Sequence, residues 1–118
     1  MGISNEPLTF EKYAQVAQST AIYPQQGTIQ GMLYSVLGLT GEAGEVANKV
    51  KKILRDDNGE LTEARKEQIK LEIGGALWYI AACCKELGTS MEEVARANLT
   101  ELLSRKERNV IKGDGDTR

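Results

Sequence analysis

Apolar residues recur along most of the chain at spacings of three and four positions, which is the period of an α-helix. Four segments follow this pattern, at about 9–21, 28–55, 62–87 and 90–109. The second segment has a wide apolar stripe and a possible break near 38–41, where two glycines fall. Because no segment alternates as a strand does, the pattern predicts an all-α fold, an antiparallel four-helix bundle.

Turn-forming residues separate the four segments. Pro24 ends the first segment, and the run Asp-Asp-Asn-Gly at 56–59 ends the second, because these residues accept the backbone of a tight reversal. Gly88 suits a helix C-cap, and Ser90 with Glu93 has the spacing of a capping box. The nearly apolar stretch 76–84 predicts that the third helix is central, and the polar tail 112–118 is expected to fray.

Composition limits the classes of protein that remain. A chain of 118 residues fits one domain, expected over 1–118, and a formal net charge of -2 gives no general attraction to nucleic acid. No apolar run is long enough to span a membrane, and no basic segment followed by an apolar one opens the chain. We therefore expect a cytoplasmic protein with no membrane and no nucleic-acid partner.

The titratable residues restrict the chemistry further. The adjacent Cys83 and Cys84 lack the spacing of a zinc site and are expected to be reduced core thiols. With no histidine in the chain, Ser-His and Cys-His catalysis and histidine-bound zinc are excluded. Any chemistry must therefore depend on carboxylates and cations.

Three glutamates are the strongest candidates for a site. Glu42 and Glu45 share one face of the second helix, and Glu72 lies on the third. Each group stands among helix-interior glycines, a costly arrangement that suggests close approach of a helix or a ligand. Carboxylate oxygens suit Mg²⁺ or Mn²⁺, although a solvated acidic face with tight helix packing explains the same residues. The glycines concerned are Gly38, Gly41, Gly44, Gly74 and Gly75.

Three stretches of sequence resemble the MazG-like nucleotide pyrophosphohydrolases. They are Leu-Thr-Gly-Glu-Ala-Gly-Glu-Val at 39–46, Lys-Lys-Ile-Leu-Arg-Asp at 51–56 and Glu-Ile-Gly-Gly-Ala-Leu-Trp-Tyr at 72–79. The resemblance implies that Glu42, Glu45 and Glu72 bind Mg²⁺, with Mn²⁺ as a possible substitute, and act in catalysis. It also implies cleavage of a nucleoside triphosphate between the α and β phosphates, by a homodimer or homotetramer.

The same resemblance implies further contacts to the substrate. Trp78 and Tyr79 could stack on a base, but packing in a central helix is the favoured explanation of both. The residues implied to bind substrate are Lys51, Lys52, Arg55, Asn98, Arg105, Asp116 and Arg118.

Three positions depart from the family pattern. Gly75 stands where the family's E-x-x-D motif has Asp, Glu101 stands where many relatives have Lys, and Asn109 stands where many relatives have Gly. The first change removes a metal ligand, and the second places a group that repels phosphate where a phosphate partner is expected. The alternative is therefore a catalytically degenerate relative that binds nucleotide or metal, or serves as a scaffold. A nucleic-acid role for the short basic run around Lys51 is disfavoured, because it lacks interleaved aromatic residues.

Overall fold

The computed structural model describes residues 3–118, and these form four α-helices with no β-strand. This confirms the predicted all-α class. Residues 1 and 2, which the predicted single domain at 1–118 includes, lie outside the described residues. The helices are α1 (Phe10–Gln18), α2 (Ile29–Asp56), α3 (Glu63–Glu86) and α4 (Met91–Glu107).

Hydroxyl side chains fix the first turn of every helix. In each case a Ser or Thr oxygen accepts the backbone N–H three residues later, which satisfies a donor that the helix leaves without a partner. The capping residues are Thr9, Thr28, Thr62 and Ser90.

The capping box at Ser90 is only half formed. The Ser90 hydroxyl accepts the Glu93 N–H at 3.1 Å, as predicted. The Glu93 carboxylate instead accepts the hydroxyl of Thr89, a competing donor one residue earlier. The predicted return contact from Glu93 to the Ser90 backbone is therefore absent from the hydrogen bonds of the described residues.

Helix ends follow local turn chemistry closely. Gly88 adopts a left-handed φ of 74°. The Thr89 N–H donates to the Cys84 carbonyl at 2.9 Å, which closes a Schellman motif. The first helix ends three residues before the predicted boundary. The Ser19 and Thr20 hydroxyls donate to carbonyls of its last turn, which satisfies those groups without a further helical turn.

The second helix runs unbroken through 38–41, so the possible break there is not present. The ring of Tyr79 on α3 explains why Gly38 is tolerated at this point. A Cβ built on Gly38 would lie 2.1 Å from Tyr79 Cε1, so the ring occupies the space above the bare backbone. The glycine therefore allows α2 and α3 to pack closely without kinking either helix.

Helix α3 is central, as predicted, because it contacts all three other helices. Within the described residues α4 packs against α1 and α3 and makes no contact with α2. Few apolar side chains are fully buried, and the α2 stripe predicted to face the core is largely exposed: Leu33 is 56% and Leu37 is 73% accessible. The radius of gyration is 17.3 Å. A compact domain of this length would have a radius of gyration of only about 14 Å.

A single carboxylate fastens the loop between α1 and α2. The Tyr23 hydroxyl donates to Glu86 Oε1 at 2.6 Å, and the Gly27 N–H donates to Glu86 Oε2 at 3.0 Å. Burial and the neighbouring Glu86 carboxylate raise the pKa of Tyr23, so its hydroxyl stays protonated and can donate. The loop is thereby held against the C-terminal end of α3.

Both cysteines are free, as predicted, and burial raises the pKa of the Cys84 thiol. Among residues 3–118, no helix combines the length and apolarity needed to cross a membrane.

Candidate metal and nucleotide site

Glu42 on α2 and Glu72 on α3 meet across the interface between these helices. The Glu42 carboxyl group is half-buried and lies within hydrogen-bonding range of Glu72. Its pKa is raised, first by burial and then by the charges of Glu72 and Glu45. The fold therefore brings together two like-charged groups that repel one another when both are ionised.

Glu45 stands one helical turn beyond Glu42 and is exposed. None of the ion pairs formed within residues 3–118 involves Glu42, Glu45 or Glu72. In this same range, no three Asp, Glu, His or Cys side chains converge closely enough to enclose a metal ion. The site consists of one carboxyl pair with a third carboxylate beside it.

The donors in this site fit a hard divalent cation. Mg²⁺ keeps several waters and is commonly held by one or two carboxylates together with the phosphates of a substrate, so an all-protein cage is not required. Glu42 and Glu72 supply such oxygens, and Glu45 adds negative charge beside them. Within the described range no Lys or Arg side chain forms an ion pair with these carboxylates. A bound cation would therefore reduce the repulsion between Glu42 and Glu72.

Of the five glycines noted from the sequence, two lie at close contacts with the opposite helix. A Cβ on Gly75 would lie 2.5 Å from Glu42 Oε2, and one on Gly38 would meet the Tyr79 ring. Cβ atoms on Gly41, Gly44 and Gly74 would have no such neighbour within 4 Å. The close approach expected from sequence is therefore confirmed at Gly38 and Gly75 and not at the other three positions.

Four aromatic rings form a cluster in which Tyr79 is the member that lies near Glu42. Tyr23 stacks on Tyr34 with centroids 5.1 Å apart, and Trp78 meets Tyr79 edge to face at 4.9 Å. The Trp78 indole N–H donates to the Ala17 carbonyl at 3.1 Å and to the Thr20 hydroxyl at 2.9 Å, which ties α3 to the end of α1. These contacts favour the packing interpretation of Trp78. Burial, a hydrogen bond with Tyr34 and the charge of Glu42 raise the pKa of Tyr79.

The basic residues of α2 differ in their availability. Arg55 is paired with Asp56 at 2.8 Å. It lies thirteen residues from Glu42, which corresponds to about 20 Å along the helix axis. Lys52 is half-buried and lies seven residues from Glu45, roughly two turns further on. Lys51 is exposed. On a regular helix Lys52 shares the face of Glu45, whereas Lys51 projects from the side opposite Glu42. Lys52 is therefore the best placed of these basic residues to reach a ligand at the carboxylates.

The end of α4 and the tail form a second group of candidate residues. Arg105 is buried, and its Nη2 donates to the Glu101 carboxylate and to the Asp116 carbonyl, the latter at 3.2 Å. Arg118 donates to the carbonyls of Gly115 and Ile111. The guanidinium groups of Arg105 and Arg108 donate to the carbonyls of Asp116 and Arg118, which folds the tail back onto the end of α4.

This folding changes the significance of Glu101. Its carboxylate is paired with Arg105, so part of its charge is compensated within α4. Asn98 is exposed on the same helix. Since α4 does not contact α2 in the part of the chain that the structure describes, this group is not packed against the helix that carries Glu42 and Glu45.

A mostly apolar cleft of about 520 Å³ lies between α1, α3 and the start of α4. Phe10, Ala14, Trp78, Ala82 and Met91 are among the residues that line it. None of the three candidate glutamates lines it, so the cleft is distinct from the carboxyl pair.

The contact between Gly75 and the Glu42 carboxylate could not be predicted from the sequence motif. The sequence shows that Asp is missing at this position, but only the packing of α2 against α3 shows that the Glu42 carboxyl group fills the space. The available signal was the pair Gly74 and Gly75, since adjacent glycines in a helix interior need a reason.

The fold and the site together define an all-α protein whose two longest helices bring carboxylates into contact. The model of the MazG nucleotide pyrophosphohydrolase domain matches residues 30–110, a range that includes Glu42, Glu45 and Glu72. The chain belongs to this family, which confirms the resemblance noted from its motifs. Asp116 and Arg118 lie beyond the matched range.

A phage protein is similar over almost the whole chain. The Gene 37 protein of Mycobacterium phage L5 is 46% identical over 109 residues, covering 90% of this chain and 96% of the phage protein. No solved structure matches the chain.

Proposed function

We propose that the protein is a metal-dependent nucleoside triphosphate pyrophosphohydrolase that releases a nucleoside monophosphate and pyrophosphate. The observation that carries the proposal is the contact of Glu42 with Glu72 in a chain of the MazG family. Two carboxyl groups without a cationic partner form a receptive site for Mg²⁺ or Mn²⁺, and the substrate phosphates are the natural remaining ligands.

The three glutamates have the central roles in this proposal. Glu42, Glu45 and Glu72 hold the cation, and one of them accepts a proton from the attacking water. A divalent cation bound there would acidify water and offset the charge of the phosphates. None of the ion pairs within residues 3–118 involves these carboxylates, so their charge is available to the ligand.

The remaining candidates act on the nucleotide. Lys51 and Lys52 offset phosphate charge from the next turns of α2, and Arg55 contributes only if it leaves Asp56. The group on α4 and the tail contacts the nucleotide from a second direction. Its members are Asn98, Arg105, Asp116 and Arg118.

A second copy of the chain completes the molecule. The exposed apolar stripe of α2 and the large radius of gyration support a homodimer or homotetramer, since burial of such a stripe is a strong driving force for association.

A second candidate is a degenerate relative that binds nucleotide or metal without turnover. The observation in its favour is Gly75, which provides no ligand, in a described range where no three metal-binding side chains converge. In that case the protein would bind the cation or the nucleotide, but no pyrophosphate would be released.

The test is pyrophosphate release from a panel of canonical and modified nucleoside triphosphates, with Mg²⁺ or Mn²⁺. We expect turnover that requires the metal and falls about 100-fold or more in Glu72→Gln. The matched control is Glu67→Gln on the same helix, which should retain activity. The Glu67 carboxylate is 63% exposed and pairs with Lys70. Turnover that is unchanged in Glu72→Gln would contradict the proposed site, and binding without turnover in the natural chain would establish the second candidate.

A further inference from the structure

The Glu42 carboxyl group lies against the bare backbone of Gly75. A Cβ at this position would be 2.5 Å from Glu42 Oε2, 2.7 Å from the carboxyl carbon and 3.2 Å from Oε1. Real Cβ atoms do not approach other heavy atoms this closely, so any side chain at position 75 requires Glu42 to move. The adjacent Gly74 has open space, which shows that the close contact is particular to position 75.

We propose that Gly75 is a positioning residue whose missing side chain allows the Glu42 carboxylate to reach Glu72 and form the cation site. The inference rests on the proposed function, because it concerns how that site is assembled. Gly75 therefore has two effects. It provides no metal ligand itself, and its lack of a Cβ determines the position of the Glu42 carboxylate. Gly in a helix interior is less stabilising than Ala, and the fold accepts this loss at the position where the Glu42 side chain reaches over from α2.

The contact is with the far end of a flexible side chain and not with backbone. Gly75→Ala therefore should not prevent folding, because Glu42 can rotate into solvent while α2 and α3 keep their packing. The gain in helix propensity should hold or raise the stability of the fold. The cation site should weaken at the same time, since Glu42 no longer lies beside Glu72. An Asp at position 75 has the same Cβ and would displace Glu42 as well as adding a carboxylate.

The experiment compares Mn²⁺ binding, followed by the electron paramagnetic resonance signal of the free ion, in the natural chain, Gly75→Ala and Gly74→Ala. Gly74→Ala is the matched control, because it makes the same change one residue away, where a Cβ meets nothing. We expect Gly75→Ala to bind Mn²⁺ about tenfold more weakly, and Gly74→Ala to bind as the natural chain does. Thermal unfolding without metal should show that neither substitution lowers stability.

Equal Mn²⁺ affinity in all three proteins would overturn the role of Gly75 and leave the proposed function standing. Binding by none of them would overturn the metal-dependent function, and the role of Gly75 with it. Metal-free crystal structures of the natural chain and Gly75→Ala give a second, independent measurement. The Glu42 carboxylate should lie beside Glu72 in the first and away from it in the second, and an unmoved Glu42 would overturn the inference.

Discussion

At the scale of single residues, Glu42 is subject to opposing requirements of stability and function. Its carboxyl group is half-buried beside Glu72 and within the field of Glu45, so the charged form is disfavoured in the metal-free protein. A cation that accepts oxygen ligands reverses this preference, because it stabilises the ionised carboxylates. The same arrangement therefore weakens the metal-free fold and creates affinity for a metal.

The pH dependence of stability should show this conflict. The folded protein keeps a proton on Glu42 to a higher pH than the unfolded chain does, so it binds more protons and its free energy of unfolding falls as pH rises. The stability is present below the unfolded pKa, about 4.3, and is lost as pH rises through the raised pKa of the folded state. Glu42→Gln should remove this slope and, without metal, raise the melting temperature by a few degrees at neutral pH.

Calorimetry between about pH 4 and pH 8, with and without Mg²⁺, measures this prediction. Mg²⁺ should raise the melting temperature of the natural chain more than that of Glu42→Gln, since binding stabilises only the protein that has the site. Identical pH profiles for the two proteins would show that Glu42 is not held in an unfavourable environment.

At the scale of the helices, close packing between α2 and α3 depends on Gly38. The Tyr79 ring fills the space where a Cβ would stand, with its Cε1, Cδ1 and Cζ atoms at 2.1, 2.4 and 2.4 Å from that point. Unlike the Glu42 carboxylate, this ring contacts Trp78 and Tyr34 and cannot turn freely into solvent. A side chain at position 38 must therefore separate the helices or displace the aromatic cluster.

Gly38→Ala should destabilise the protein by about 1–3 kcal/mol, because overpacking outweighs the gain in helix propensity. Gly41→Ala is the control on the same helix, since a Cβ there meets nothing within 4 Å. It should be neutral or stabilising by up to about 1 kcal/mol. Urea unfolding of the two variants measures the difference. Equal stability of the two variants would mean that Tyr79 can vacate its place at little cost.

The helices could be predicted closely from sequence because their signals are local. The threonine and serine caps and Gly88 each act within a few residues, and three of the four helices begin and end within two residues of prediction. The interruption suggested at 38–41 is not present. The Tyr79 ring of α3 fills the space beside Gly38 that a side chain would otherwise occupy. The glutamates could likewise be chosen from their spacing, whereas the contact of Glu42 with Gly75 depends on how two distant helices pack.

At the scale of the whole molecule, the feature that the sequence could not specify is what covers the α2 stripe. Periodicity predicted that Leu33 and Leu37 face a core, but α4 does not pack on α2 within the described residues, and both leucines are more than half exposed. Periodicity identifies an apolar face without identifying its partner, which can belong to the same chain or to another. Three leucines of α4 are exposed as well: Leu99, Leu102 and Leu103.

A second copy of the chain should bury the exposed apolar stripe of α2. The substitution Leu37→Glu should prevent this association. Leu37 is 73% exposed. A charge there therefore costs little in one chain, but it is expensive when buried at an interface. Sedimentation equilibrium should give the natural chain a mass twice or four times that of one chain, and Leu37→Glu the mass of a single chain. The control Gln30→Glu adds the same charge to an exposed polar position of α2 and should leave the assembly intact. A natural chain that sediments as a monomer at micromolar concentration would contradict self-association as the explanation for the exposed stripe.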